Sequence, residues 1–112
     1  MQFNIVIPSF NQAQFLEETI KSVLAQNGDF SVAIFVADGG STDKSVQILK
    51  KYKNKISFVS EKDRGQTHAI NKGIAYFSSL KLKAHENTVF AYINSDDYYL
   101  PGAFSKVMTA FE

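Results

Sequence analysis

Asp96 and Asp97 are adjacent carboxylates that follow directly on the apolar run 88–93. Two such side chains repel each other, and no Lys or Arg stands close in sequence to compensate them. A divalent cation would relieve that repulsion. Carboxylates are hard oxygen donors that suit Mg²⁺ or Mn²⁺, alongside water and phosphate oxygens. The alternative is a solvated loop capping the helix that Pro101-Gly102 opens. A second group is Asp38-Gly39-Gly40-Ser41-Thr42-Asp43. One carboxylate there could accept from a ring N–H or a ribose hydroxyl, while Gly39 and Gly40 let backbone approach a ligand closely. The same residues also read as a tight turn feeding a helix, with Asp43 at the helix end. A third group, Asp63-Arg64-Gly65-Gln66, precedes a helical pattern. Arg64 could pair with a diphosphate, and a helix N-terminus offers backbone N–H groups to an anion. Lys72 lies farther along that helix, either towards a ligand or simply solvated. His68 reads more readily as an exposed or satisfied histidine than as a ligand contact, and His85 has no partner to name.

Four strands must carry these groups. Residues 3–7 form an apolar run stopped by Pro8, which cannot continue a hydrogen-bonded ladder. Ser9-Phe10-Asn11 follows as a loop. Over 12–26, Phe15, Leu16, Ile20, Val23 and Leu24 fall on one helical face, and Asn27-Gly28 ends the helix. A second apolar run, 32–37, leads into Asp38. The helix over 43–53 is expected to bury Val46, Leu49 and Tyr52. A third strand covers 56–59. A helix over 66–80 places Ala69, Ile70, Gly73, Ile74 and Phe77 on one face, and 81–87 is a polar connection. The run 88–93 is apolar enough to be covered on both faces. Phe104, Val107, Met108 and Phe111 mark a last helix.

The order β-α-β-α-β-α-β-α predicts the α/β class: a Rossmann-like parallel sheet with flanking helices and right-handed crossovers. In such sheets ligands bind at the carboxyl ends of the strands. Pro8-Ser9, Asp38-Gly39-Gly40, Ser60-Glu61 and the stretch from Asn94 to Asp97 should therefore meet along one rim. Tyr98 and Tyr99 either line a sugar pocket there or pack over it.

Composition narrows the classes. The 112 residues suffice for one domain with a core, and 45% hydrophobic with 21% charged residues is ordinary for a globular protein. Twelve Lys/Arg against eleven Asp/Glu leave a net charge of +1, without the basic excess of a nucleic-acid binder. Lys50, Lys51, Lys53 and Lys55 read as a solvated face, with contact to an anionic membrane as the minor alternative. The absence of cysteine excludes disulfides, thiolate metal sites and Cys nucleophiles. No basic leader or long apolar run opens the chain, so the expected location is cytoplasmic, or peripheral at the inner membrane face. Neither a G-x-G-x-x-G nor a Walker-type motif is present, which disfavours a dinucleotide fold or P-loop.

Taken together, the blocks resemble the N-terminal part of family 2 glycosyltransferases, which have the GT-A fold. Phe3 to Asn11 is similar to the family's first strand and its Pro-Ser/Thr-Tyr/Phe-Asn ending. Asp38 to Asp43 looks like its nucleotide-side motif, although Gly39 stands where many relatives carry a second Asp. The stretch from Ser60 to Gln66, followed by Ala69-Ile70-Asn71-Lys72-Gly73, is similar to the third block. Asn94-Ser95-Asp96-Asp97 with Tyr99, Pro101 and Gly102 looks like the family's "DxD" metal site.

The resemblance implies a nucleotide-diphosphate sugar donor, most often a UDP-sugar, and Mn²⁺ or Mg²⁺ bridging its diphosphate. It places Ser9 or Asn11 near the nucleoside and Asp38 at the base, with Pro8 and Gly39 as further donor-binding residues. Arg64 goes near the diphosphate, Lys72, Ser95 and Asp96 to the donor, and Asp97 with Asp96 to the metal. It implies inverting transfer to a saccharide or lipid-linked acceptor, with the general base beyond residue 112. The chain is thus expected to be a single nucleotide-sugar-binding domain, 1–112, incomplete at its C-terminus and able to self-associate through uncovered core. Two other classes stay open on the residues: a nucleotidyltransferase-like nucleotide binder, and a non-catalytic oligomerising α/β interaction domain.

Overall fold

A computed structural model describes residues 1–80 and 88–110. The elements are β1 (Gln2–Ser9), α1 (Ala13–Leu24), β2 (Ser31–Asp38), α2 (Ser45–Lys51), β3 (Ser57–Ser60), α3 (Gln66–Ser79), β4 (Thr88–Tyr92) and α4 (Ala103–Ala110). They build the α/β fold the alternating pattern predicts: a four-stranded sheet in the order β3-β2-β1-β4. Every neighbouring pair is parallel, with Ser9 level with Asp38 and Asp38 level with Ser60. The carboxyl ends of β1, β2 and β3 are therefore in step.

The two faces of the sheet explain why β1 and β2 are mostly apolar, with Asn4 the buried polar exception in β1. Phe3, Ile5, Ile7, Ile34 and Val36 point to one side, where Leu16, Ile20 and Val23 of α1, Leu49 of α2 and Phe104 of α4 cover them. Val6, Phe35 and Ala37 point to the other, against Ala69 and Phe77 of α3. Both strands are central, so side chains on both faces are covered, and simple alternation disappears from the sequence.

β4 departs from the expected coverage on both faces. It lies at the sheet edge, with Val89 and Ala91 turned to the main core while Phe90 and Tyr92 are 41% and 51% exposed. α3 lies over β1 and β2, and its Phe77 meets Phe90 of β4 edge-on, 6.2 Å between centroids. A short apolar run does not reveal whether a helix covers its second face.

Helix faces differ in detail as well. On α1 the buried residues are Leu16, Thr19, Ile20 and Val23, whereas Phe15 and Leu24 are exposed. Ile74 of α3 is exposed, and α2 buries Ser45 with Leu49 while Val46 and Tyr52 are half-buried. The polar connection 81–87 with His85, and Phe111, lie outside the described residues. Among those described, no helix is long and apolar enough to cross a membrane.

Helices α1 and α2 are joined by Glu17, whose Oε2 lies 2.6 Å from both Lys51 Nζ and the Tyr52 hydroxyl. The Lys51 ammonium and the Tyr52 hydroxyl hold the Glu17 carboxyl below its usual value. Burial, and then the carboxylate it donates to, push Tyr52 up to about 12. Because the folded-state value is raised, this contribution to stability is present below pH 10 and is lost as pH rises towards 12. Ultraviolet titration against a Tyr52→Phe reference should show this late phenol. Glu17→Gln should bring its ionisation to lower pH, and an unchanged titration would refute the link.

Candidate functional site

The rim at the carboxyl ends of the strands encloses a cavity of about 550 Å³. Pro8, Ser9, Phe10 and Gln12 line it from the β1–α1 connection, and Gly39 from the end of β2. Lys62, Asp63, Gly65, Gln66 and Ala69 enter from the β3–α3 side, and Asn94, Ser95 and Asp96 from the turn after β4. The size suits a small organic ligand, and the lining mixes apolar surface with a few convergent polar groups.

Ser9 ends β1 and is 6% exposed, and its Oγ has no hydrogen-bond partner among the described residues. A buried hydroxyl left unpaired costs free energy unless a ligand or water meets it. Gln66, the first residue of α3, crosses the cavity mouth and donates from Nε2 to Asn94 Oδ1 at 2.7 Å. Gly65 precedes it at φ 108°, a left-handed conformation that favours glycine and turns the chain into the helix.

Asp38 is fully buried. Its carboxylate accepts from the Gly40 and Ser41 N–H groups at 3.2 and 2.8 Å, from the Ser60 hydroxyl at 2.7 Å, and from the Ser41 hydroxyl. It thus organises the turn after β2 and ties it to β3, and it stands behind the cavity wall. Asn11, at φ 51°, pins the same turn from the other side. Its Oδ1 accepts from Thr42 N–H at 2.8 Å, and its own N–H donates to Ser41 Oγ at 2.9 Å. Asp43 serves two helix starts: Oδ1 accepts from Ser45 N–H at 2.9 Å and Oδ2 from Ala13 N–H at 3.0 Å. Burial alone would raise the Asp43 carboxyl, but the Ser45 hydroxyl and these N–H donors outweigh it and hold it below the usual carboxylate value.

Of the residues marked in the sequence, Pro8, Ser9, Gly39, Ser95 and Asp96 line the cavity. Asn11, which is exposed, and Asp38, which is buried, are outside the lining and organise the turn after β2. Arg64 is exposed, and its N–H donates to His68 Nδ1 at 2.9 Å. Lys72 is drawn aside to Glu61, 2.9 Å from Nζ to Oε1, so a salt bridge rather than the cavity occupies its ammonium. Asp97 is exposed beside Asp96 but outside the lining. At Gly39 a Cβ would meet both Asp63 carboxylate oxygens at 3.0 Å, so a side chain here would require Asp63 to move.

Among the described residues no group of three or more His, Cys, Asp or Glu side chains converges as a metal-binding cluster. Asp96 and Asp97 are adjacent exposed carboxylates, the donor type that Mg²⁺ or Mn²⁺ takes alongside phosphate oxygens and water.

Phe10, Lys62, Asp63 and Gln66, which lay in the marked stretches without a role of their own, also line the cavity, as does Gln12, and sequence reasoning missed Thr19 altogether. Gln66 had a signal, as the first residue of a helix after a glycine. Thr19 had one too: it shares a stripe with Ser22 and Gln26, at polar positions three and seven residues on.

Comparison with known proteins agrees with this architecture. Hyaluronan synthase from Streptococcus pyogenes is 32% identical over 107 residues, which are 95% of this chain and 26% of that protein. TarS 1-349 from S. aureus superposes with a TM-score of 0.71 at 25% identity, over 99% of this chain and 32% of that one. The same protein in complex with UDP-GlcNAc gives 0.70 at 26% identity. The mannosyltransferase PcManGT from Pyrobaculum calidifontis, in complex with GDP-Man and Mn²⁺, shares the fold at 20% identity and a TM-score of 0.66. The chain spans about a quarter to a third of the length of these relatives. They favour neither the nucleotidyltransferase nor the non-catalytic interaction domain. The family described as glycosyl transferase family 2 matches residues 4–112, and the chain belongs to that family.

Proposed function

We propose that the rim cavity binds the nucleoside diphosphate portion of a nucleotide-sugar, with a divalent cation at Asp96 and Asp97, for inverting glycosyl transfer to a saccharide or lipid-linked acceptor. The observation that carries this reading is the unpaired Ser9 hydroxyl, buried in the cavity wall on the same rim as Asp96. A polar atom in that position is satisfied by a ligand that brings its own hydrogen-bonding groups. Uridine is the favoured nucleoside, because TarS from S. aureus, which has a similar fold, is found in complex with UDP-GlcNAc.

In this reading Pro8, Ser9, Gly39 and Ser95 shape the nucleotide pocket. Asn11 and Asp38 act through the turn they hold. Exposed Arg64 approaches the diphosphate from the β3–α3 loop, and Lys72 does so only if it leaves Glu61. Asp96 and Asp97 hold Mn²⁺ or Mg²⁺, which when bound would offset the charge on the diphosphate. The base that deprotonates the acceptor is assigned to none of these 112 residues.

Isothermal titration with UDP, with Mn²⁺ or with EDTA, tests the proposal on binding alone. UDP should bind more tightly with Mn²⁺, and Asp96→Asn should abolish that difference. Ser9→Ala should weaken binding about fivefold, the worth of one hydrogen bond. UDP that fails to bind under either condition would sink the assignment.

A further inference from the structure

We propose that Thr19, buried in α1, is a positioning residue that sets the Asp96–Asp97 turn for metal and diphosphate. The inference rests on the nucleotide-binding reading above and adds to it the part of the molecule that aims the two carboxylates.

Neither the Asp96 nor the Asp97 side chain has a hydrogen-bond partner among the described residues, so the backbone beneath them fixes where they point. That backbone is held from α1. Thr19 is 1% exposed, and its Oγ1 faces three carbonyls: Ser95 O at 3.0 Å, Asp97 O, and Phe15 O of its own helix at 3.3 Å. A hydroxyl has one proton to donate. The Ser95 and Asp97 carbonyls converge on that single donor from either side of Asp96. The Asp97 N–H closes the turn onto Asn94 O at 3.0 Å.

The next residues along the stripe continue the attachment. Ser22 Oγ accepts from Tyr99 N–H at 3.0 Å. Gln26 donates from Nε2 to Leu100 O at 2.9 Å and accepts at Oε1 from Phe104 N–H at 3.0 Å. Thr19 and Ser22 of α1, with Gln26 just past its end, thus grip the chain from Ser95 to Phe104, with Thr19 beneath the carboxylates. Val at 19 would match the shape but leave the Ser95 and Asp97 carbonyls without this donor. A hydroxyl there serves the turn, as groups behind a metal's direct ligands commonly do.

Thr19→Val keeps the shape and removes the hydroxyl, and Thr19→Ser keeps the hydroxyl. In the intact protein, the readout is the ratio of UDP affinity with Mn²⁺ to UDP affinity with EDTA. Thr19→Val is expected to reduce this ratio about tenfold while metal-free binding holds, and Thr19→Ser to restore it. Should Thr19→Val not fold, Ser22→Ala probes the same attachment, with a smaller loss of the ratio and faster hydrogen exchange at Tyr99. Equal weakening with and without Mn²⁺ would assign Thr19 to structure alone and overturn the proposal, as would an unchanged ratio. Wild-type protein that binds no UDP would overturn the nucleotide-binding reading itself, a result separable from these.

Discussion

Gly73→Ala is expected to destabilise the protein by about 2 kcal/mol, the usual scale of overpacking. Helix propensity alone points the other way, favouring alanine by about 1 kcal/mol, so the sign of the change is diagnostic. The reason lies across the α3–β1 contact. A Cβ at Gly73 would sit 2.2 Å from Val6 Cγ2 and 2.6 Å from Cγ1. Val6 is fully buried in the central strand and has no room to retreat. Glycine at this point lets α3 lie directly on β1, and the same approach brings Gln66 and Ala69 to the cavity wall. Urea denaturation of Gly73→Ala, Val6→Ala and the double variant measures the coupling. The double variant should be more stable than the sum of the single losses implies, because the truncated strand residue makes space for the new methyl. Additive losses, or stabilisation by Gly73→Ala, would contradict the close packing.

Asp38→Ala should cost about 3 kcal/mol, because it strands several donors at once in a buried place. The Gly40 and Ser41 N–H groups and the Ser41 and Ser60 hydroxyls all point at this carboxylate. Thermal and chemical denaturation without nucleotide reads the effect directly. A carboxylate that served only to touch a base would leave the stability of the free protein unchanged. A loss below about 0.5 kcal/mol, the range of ordinary surface substitutions, would therefore return Asp38 to that simpler role.

The parallel sheet was legible because strands and helices alternate with turn residues between them, and because β1 and β2 are predominantly apolar. The rim followed from topology, which gathers strand ends wherever they stand in sequence. What the sequence could not display was direction. Asp38 and Asp96 are both aspartates just after a strand, yet one turns inward to four donors and the other outward to a cavity. Only the geometry of Gly40, Ser41 and Ser60 separates them. Lys72 was similarly ambiguous, since Glu61 reaches it from the previous loop. The apolar rule also concealed Thr19, because a β-branched residue on a helix's buried face passes for packing until the carbonyls above it are located.

The position of β4 has a consequence for handling the protein. Its outer backbone edge pairs with no strand among the described residues, and Phe90 and Tyr92 add apolar surface beside it. Unpaired strand edges are templates for intermolecular sheet growth. Losses on concentration or storage should therefore begin at this strand, and solubility should be governed by whatever shields it rather than by the near-neutral overall charge.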